Sequence, residues 1–235
     1  MKKILFILFI ISYNILYTQE LKFQNPDLEK IILNKYSEID KNKNGKIEKS
    51  EAENVKDLNL MKENLENVND IIFFKNLEYL SLTTNKLKSL KINNFKHLKK
   101  LYCARNSLKN LEISNLPALR EFACGVNNLE YVKIQNCPNI ESLNMMNNQI
   151  IEIDLAPFKK LKYLTIDNNK LKQLDLSKNP NLEQITINNN EITEIDITKN
   201  QKLIMHILYI DKDVKIIGTE NQMKNYKPGP VIIQN

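Results

Sequence analysis

Arginine is nearly absent from this 235-residue chain: of 34 basic residues only Arg105 and Arg120 carry a guanidinium. Bidentate reading of phosphates and base edges favours Arg over Lys. The basic surplus, +6 at pH 7, therefore does not point to nucleic acid. Scattered Lys reads instead as a solubility device with a mild attraction to acidic surfaces. Histidine is as scarce, with His97 and His206 alone. Neither belongs to a metalloprotease helix, and no serine elbow or Cys–His motif accompanies them, so the chain reads as a non-enzyme. Cys103, Cys124 and Cys137 have no second Cys or His at ligand spacing, which argues against a sulfur-based metal site.

Long apolar runs are missing as well, apart from one at the start. Residues 1–19, MKKILFILFIISYNILYTQ, place Lys2 and Lys3 ahead of a run from Ile4 to Ile11, then Ser12 and Asn14. That order reads as a secretory signal peptide, with cleavage near Thr18–Gln19. The run is short for a membrane span, and no Cys near residue 20 invites a lipid anchor. The expected location is outside the cell or on its surface, with no stable membrane span.

What the chain has is a fixed period. Leu77, Leu98, Leu119, Ile140, Leu161, Leu182 and Leu203 are spaced by 21 residues without drift. One unit reads LxxLxLxxNxLxxLxLxxxxx, as in Leu161, Leu164, Ile166, Asn169, Leu171, Leu174 and Leu176. A period in this range marks a stacked repeat. Each LxL is a period-2 element with two residues inward and one outward. Two such elements per unit predict a rung in each of two parallel sheets. A single unit buries too little to hold itself, so neighbours must share their rungs. The column Asn85, Asn106, Asn127, Asn148, Asn169 and Asn190 follows the first strand of each unit. Asn donates and accepts, so at a corner it can satisfy backbone groups that turn inward. Cys103 and Cys124 replace strand leucines on one inward column and read as buried thiols, because a bridge between in-register parallel strands has poor geometry. Cys137, before Pro138 at a corner, is expected to be more exposed.

The strings LKYLTIDNNKLKQLDLSKNPN and LEQITINNNEITEIDITKNQK resemble the 21-residue class of bacterial leucine-rich repeats, over residues 55–203. The resemblance implies an α/β solenoid: a right-handed parallel β-solenoid, curved toward its first strand. It also implies protein or glycan binding rather than catalysis by the repeats.

Ahead of the repeats, Asp40 to Glu51 reads DKNKNGKIEKSE. This fits a twelve-residue EF-hand calcium loop: Asp40, Asn42 and Asn44 at positions 1, 3 and 5, Gly45 at the turn, the Lys46 carbonyl at 7, Glu48 at 9 and bidentate Glu51 at 12. Asn25 and Pro26 suit the start of a flanking helix, and Ala52 and Val55 continue after the loop. Two Asn ligands and four nearby Lys weaken the site, to a dissociation constant of about 10⁻⁴–10⁻³ M. The domain reading is thus a signal peptide (1–19), a helical calcium-loop cap (20–54), an irregular first turn (55–76), six repeats (77–203) and a C-terminal cap (204–235). A single calcium ion is the expected cofactor.

Outward residues of the first strands would form the concave face. Tyr79, Tyr102, Arg105, Met146 and Tyr163 are of types enriched at interface centres, and they are the expected partner contacts. On the second sheet Lys91, Glu112, Lys133, Asp154, Asp175 and Asp196 share a column. Three neighbouring carboxylates should repel. Nearby Lys could balance them, or a cation could bridge them. The expected function is that of a secreted, monomeric recognition module. A protein that self-assembles through its solenoid ends is the alternative.

Overall fold

The structure is a computed structural model and describes residues 20–226. The signal-peptide reading of residues 1–19 lies outside the described residues, as do residues 227–235 of the C-terminal cap.

The repeats wind into a parallel β-solenoid. A seven-stranded front sheet runs through Asp57–Asn59, Tyr79–Ser81, Lys100–Tyr102, Glu121–Ala123, Ser142–Asn144, Tyr163–Thr165 and Gln184–Thr186. A bridge from Thr186 to Tyr209 adds an eighth rung. Leu80, Leu101, Phe122, Leu143, Leu164 and Ile185 stand in register, one above the next, and Leu58 begins the column 22 residues before Leu80. All of these side chains are buried, as are the seven residues of the Leu77 column. The irregular first turn therefore lays a full rung.

Each front strand is only three residues long because the chain then turns through a left-handed residue. Thr84, Arg105, Val126, Asn147, Asn168 and Asn189 have φ between 54° and 58°. Asparagine tolerates that conformation; β-branched Val126 does not. The next residue is the Asn that recurs in every unit, and its amide closes the corner. Asn106 Nδ2 donates to Leu82 O (3.0 Å) and Cys103 O (3.1 Å), while its Oδ1 accepts from Leu87 N (3.0 Å). Asn127, Asn148, Asn169 and Asn190 repeat the pattern. These amides are committed to the backbone and do not face a ligand.

The second sheet departs from expectation. It is a three-stranded piece, Ser89–Asn93, Asn110–Ser114 and Lys133–Gln135, and a separate pair, Glu194–Asp196 with Lys215–Ile217. Between them, residues 151–155 and 172–176 form no strand. There the stack is held from inside by a second amide column that the repeat consensus did not bring out. Asn179 Nδ2 donates to Leu155 O and Phe158 O, both at 2.9 Å. Asn200 Nδ2 donates to Leu176 O and Asn179 O, and Gln222 Nε2 to Ile197 O and Asn200 O. Asn179 and Asn200 are fully buried. Cys137 also differs from expectation. It is 3% exposed, because its corner position is the inward one that Phe95 and Phe158 fill in other turns. Cys103 and Cys124 are buried free thiols.

Helices close the ends. Helix α1, Pro26–Lys35, and the single turn α2, Lys49–Ala52, bring Leu28, Ile32, Ile47 and Ala52 over the first rung, all fully buried. Asn25 does not cap α1 with its side chain. Its N–H donates to Asp70 Oδ2 (2.8 Å) and its amide to Asn67 O (2.9 Å), which ties the helix to the first turn. At the far end α3, Glu220–Asn225, starts in a capping box made by Thr219 and Gln222.

Two substitutions weigh these features. Asn127→Ala strands the Leu108 N–H and two carbonyls in a buried corner, and stability falls by about 2–4 kcal/mol. Val126→Asn relieves the left-handed strain and raises stability by about 1 kcal/mol. Urea denaturation followed by circular dichroism reads both, and shifts of equal sign would contradict this account of the corner.

Candidate functional site

Identical positions of successive turns fall into columns on the front sheet. The central outward column is Asn59, Ser81, Tyr102, Ala123, Asn144, Thr165 and Thr186, which carries no charge. Tyr102 of this column meets Tyr79 of the neighbouring one edge to face, with ring centroids 5.7 Å apart. The Tyr102 hydroxyl donates to Glu121, which Lys100 pairs at 2.8 Å. Burial, then Glu121, pushes the Tyr102 phenol well above its ordinary value. Burial opposes ionisation of Glu121, but Lys100 and the Tyr102 hydroxyl outweigh it and hold the carboxyl below its usual range. Of the five expected contacts, Tyr79 and Tyr102 are thus brought together.

The other three are not part of that cluster. Arg105 sits at the left-handed corner, exposed, with its N–H committed to Gly125 O (3.0 Å). Met146 lies over the notch left by Gly125, where a Cβ would meet Met146 Cγ at 3.1 Å and Asn144 Oδ1 at 3.0 Å. Tyr163 is 44% exposed, and its hydroxyl donates to Glu183 Oε2 (3.0 Å). Ala104 and Ala123 present little side chain between the tyrosine pair and Met146, while Gly125 is covered by Met146 and Asn144.

In the cap, Asp40 Oδ1 and Oδ2 accept from Asn44 N and Gly45 N (3.1 and 2.8 Å), and Gly45 takes a φ of 77°. Asn42 Oδ1 and Asn44 Oδ1 accept from Asn44 N and Lys46 N. Glu51 takes the N–H of Lys41 and of Glu48 (2.8 and 3.0 Å). Burial, then the contact with Glu48, raises the Glu51 carboxyl above its usual range. The Ile47 backbone is satisfied on both sides: its N–H donates to Glu29 Oε1 (3.1 Å) and its carbonyl accepts from Leu21 N (3.2 Å). The donor set of Asp40, Asn42, Asn44, the Lys46 carbonyl, Glu48 and Glu51 is all hard oxygen and suits calcium. Among the described residues no three acidic, Cys or His side chains form a metal cluster, so a cation here depends on the two Asn amides. In the structure those amides donate to Glu48 Oε1, Asn42 at 2.8 Å.

The carboxylates of the second sheet do not stand unsupported. Glu112 sits between Lys91 (3.4 Å) and Lys133 (3.3 Å). Asp154, Asp175 and Asp196 each accept the N–H two residues on, from Ala156, Ser177 and Thr198, at 2.8–2.9 Å. The Ser177 N–H and side chain hold the Asp175 carboxyl low, and the Thr198 side chain and N–H do the same for Asp196. His97 lies at an early front corner and His206 on the last rung, in the 3₁₀ turn Met205–Ile207. Among the described residues no helix is long and apolar enough to cross a membrane.

Spectrophotometric titration tests the tyrosine cluster. Tyr102→Phe is expected to leave the absorbance step at about pH 10 unchanged and to remove part of the rise above it. The Glu121 contribution to stability is present above its unfolded value and is lost as pH falls through the lower folded one, so the cluster holds at pH 5 and loosens only below about pH 4.

No protein-family model matches the chain, and no curated protein does. Among solved structures, internalin C2 of Listeria monocytogenes aligns with a TM-score of 0.55 at 19% identity, over 80% of this chain and 94% of that one. The functional domain of InlJ from the same organism gives 0.39 at 21% identity, covering 67% of this chain and 45% of its own length. A leucine-rich repeat protein of Leptospira interrogans gives 0.41 at 18%, with 78% and 62% covered. This chain thus spans less than half of the InlJ domain. In fold, the protein is a leucine-rich repeat solenoid of about eight turns.

Proposed function

We propose that this protein is a recognition module, secreted or held at the cell surface, that binds a protein partner on the front sheet. The observation that carries the reading is the uncharged central column with the Tyr79–Tyr102 pair at its side. Fully desolvating charge is costly, so interface centres are poor in charge and rich in tyrosine. A stack of in-register rungs presents that surface with little ordering left to do on binding. The small side chains of Ala104 and Ala123 keep the sheet low next to the tyrosines. The fold shared with an internalin agrees with a binding role, and a chain built of repeats with a continuous sheet suits display better than catalysis. The test is capture from extracellular material on immobilised protein. Tyr79→Ala/Tyr102→Ala is expected to lose the captured protein while its melting temperature stays within about 3 °C of the parent. Undiminished capture by that variant rules out the front-sheet reading.

We infer also that the loop from Asp40 to Glu51 takes up one calcium ion that firms the N-terminal cap. Asp40, Asn42, Asn44, Glu48 and Glu51 would hold it, with the Lys46 carbonyl. The support is the twelve-residue spacing, the hard-oxygen donors and the left-handed Gly45. With a dissociation constant of about 0.1 mM, calcium at about 1 mM adds roughly 1.4 kcal/mol, or about 4 °C in melting temperature. Glu51→Gln should abolish that rise. Identical melting of the parent in calcium and in chelator would sink the inference.

A further inference from the structure

Lysine is scattered along the chain but not around the solenoid. The leading edge of the front sheet comprises positions 75, 76, 78 and 79 and their equivalents every 21 residues up to 204. It carries nine cations and four carboxylates. The trailing corner, positions 83–88 and equivalents up to 193, has six and three, and the back, positions 89–95 and equivalents up to 200, has four and six. The carboxylates of the leading edge are already engaged. Glu141 lies between Arg120 (3.2 Å) and Lys162 (2.9 Å), Glu78 between Lys56 and Lys99, and Glu121 beside Lys100. Glu183 takes the Tyr163 hydroxyl. Among the described residues no carboxylate comes within ion-pair distance of Lys75, Lys96, Lys159, Lys160 or Lys202. Between Lys99, Arg120 and Lys160 there is a notch of about 180 Å³, lined also by Ala118, Asn139 and Glu141.

We propose that this edge binds an acidic polysaccharide laid along the solenoid axis, with the notch between Lys99, Arg120 and Lys160 seating one of its acid groups. Rungs rise by about 4.8 Å, so the six steps from Lys75 to Lys202 form a strip roughly 30 Å long. A linear polyanion follows such a strip and releases counterions along it, whereas a folded protein would sit on the sheet beside it. The cations are lysines except Arg120, and point charges suit acid groups of varied direction better than planar base edges. The rings of the strip are His97, Tyr79, which packs on Tyr102, and Tyr163 four turns away, so they offer no continuous row on which successive nucleobases could stack. The strip borders the uncharged central column and includes Tyr79 of the tyrosine pair, but its attraction comes from the lysines, so the proposal does not rest on the front-sheet reading.

The experiment is titration of the purified protein with fluorescent dextran sulfate at about 0.15 M salt, with neutral dextran and a single-stranded oligonucleotide as comparators. Lys96→Gln/Lys159→Gln/Lys160→Gln is expected to weaken dextran sulfate binding about tenfold or more and to flatten its salt dependence. Lys86→Gln/Lys88→Gln/Lys170→Gln removes the same charge from the trailing corner and should change it less than about twofold. Tyr79→Ala/Tyr102→Ala should leave it intact. Equal losses in the two lysine triples, no preference over neutral dextran, or tighter binding to the oligonucleotide would each overturn the proposal.

Discussion

One primary amide per turn decides whether this chain can be a solenoid. Where a front strand ends, the backbone swings through a left-handed residue and its carbonyls and N–H groups point into the interior. Asn106 and its equivalents reach across that corner and satisfy groups of two neighbouring turns at once. Because each amide spans a rung, it fixes the register at the corner, and the 22-residue first turn takes its extra residue only beyond that corner. One residue more or less between strand and corner would carry the amide away from its carbonyls and turn the strand's inward face outward. The buried leucine columns supply most of the driving force, but apolar side chains are tolerant of register and amides are not.

The same economy explains the ends and the back. A solenoid leaves a bare rung at each end, and here short helices cover them. At the start, Leu28 and Ile32 of α1 lie over the first rung, and Glu29 and Leu21 satisfy the backbone of Ile47. At the end, Gln222 completes the inner amide column begun by Asn179 and Asn200. That column lets two turns give up their back strands, since their inward carbonyls are met by side chains.

Function rests on what constant register does to the outside. Once rungs are stacked, any bias at one position of the repeat becomes a stripe. The front sheet carries a neutral stripe, and a cationic one lies along its leading edge. Exposed ion pairs on that edge contribute little to stability individually. Their effect is to neutralise the carboxylates and leave the lysines in excess.

Sequence alone determined the repeat, its length, the asparagine corner and the column to which each residue belongs, because a 21-residue period with alternating strands permits only one set of inward positions. Three features needed the tertiary structure. Asn179 and Asn200 lie outside the repeat's apolar pattern, and only the stacked turns show that they replace a sheet. Cys137 looked like a loop residue, and packing put it in an aromatic slot. The Tyr79–Tyr102 contact and the sorting of lysines onto one edge depend on which side chains lie across neighbouring rungs. A linear string fixes which column a residue enters, but the distance between columns exists only once the chain is wound.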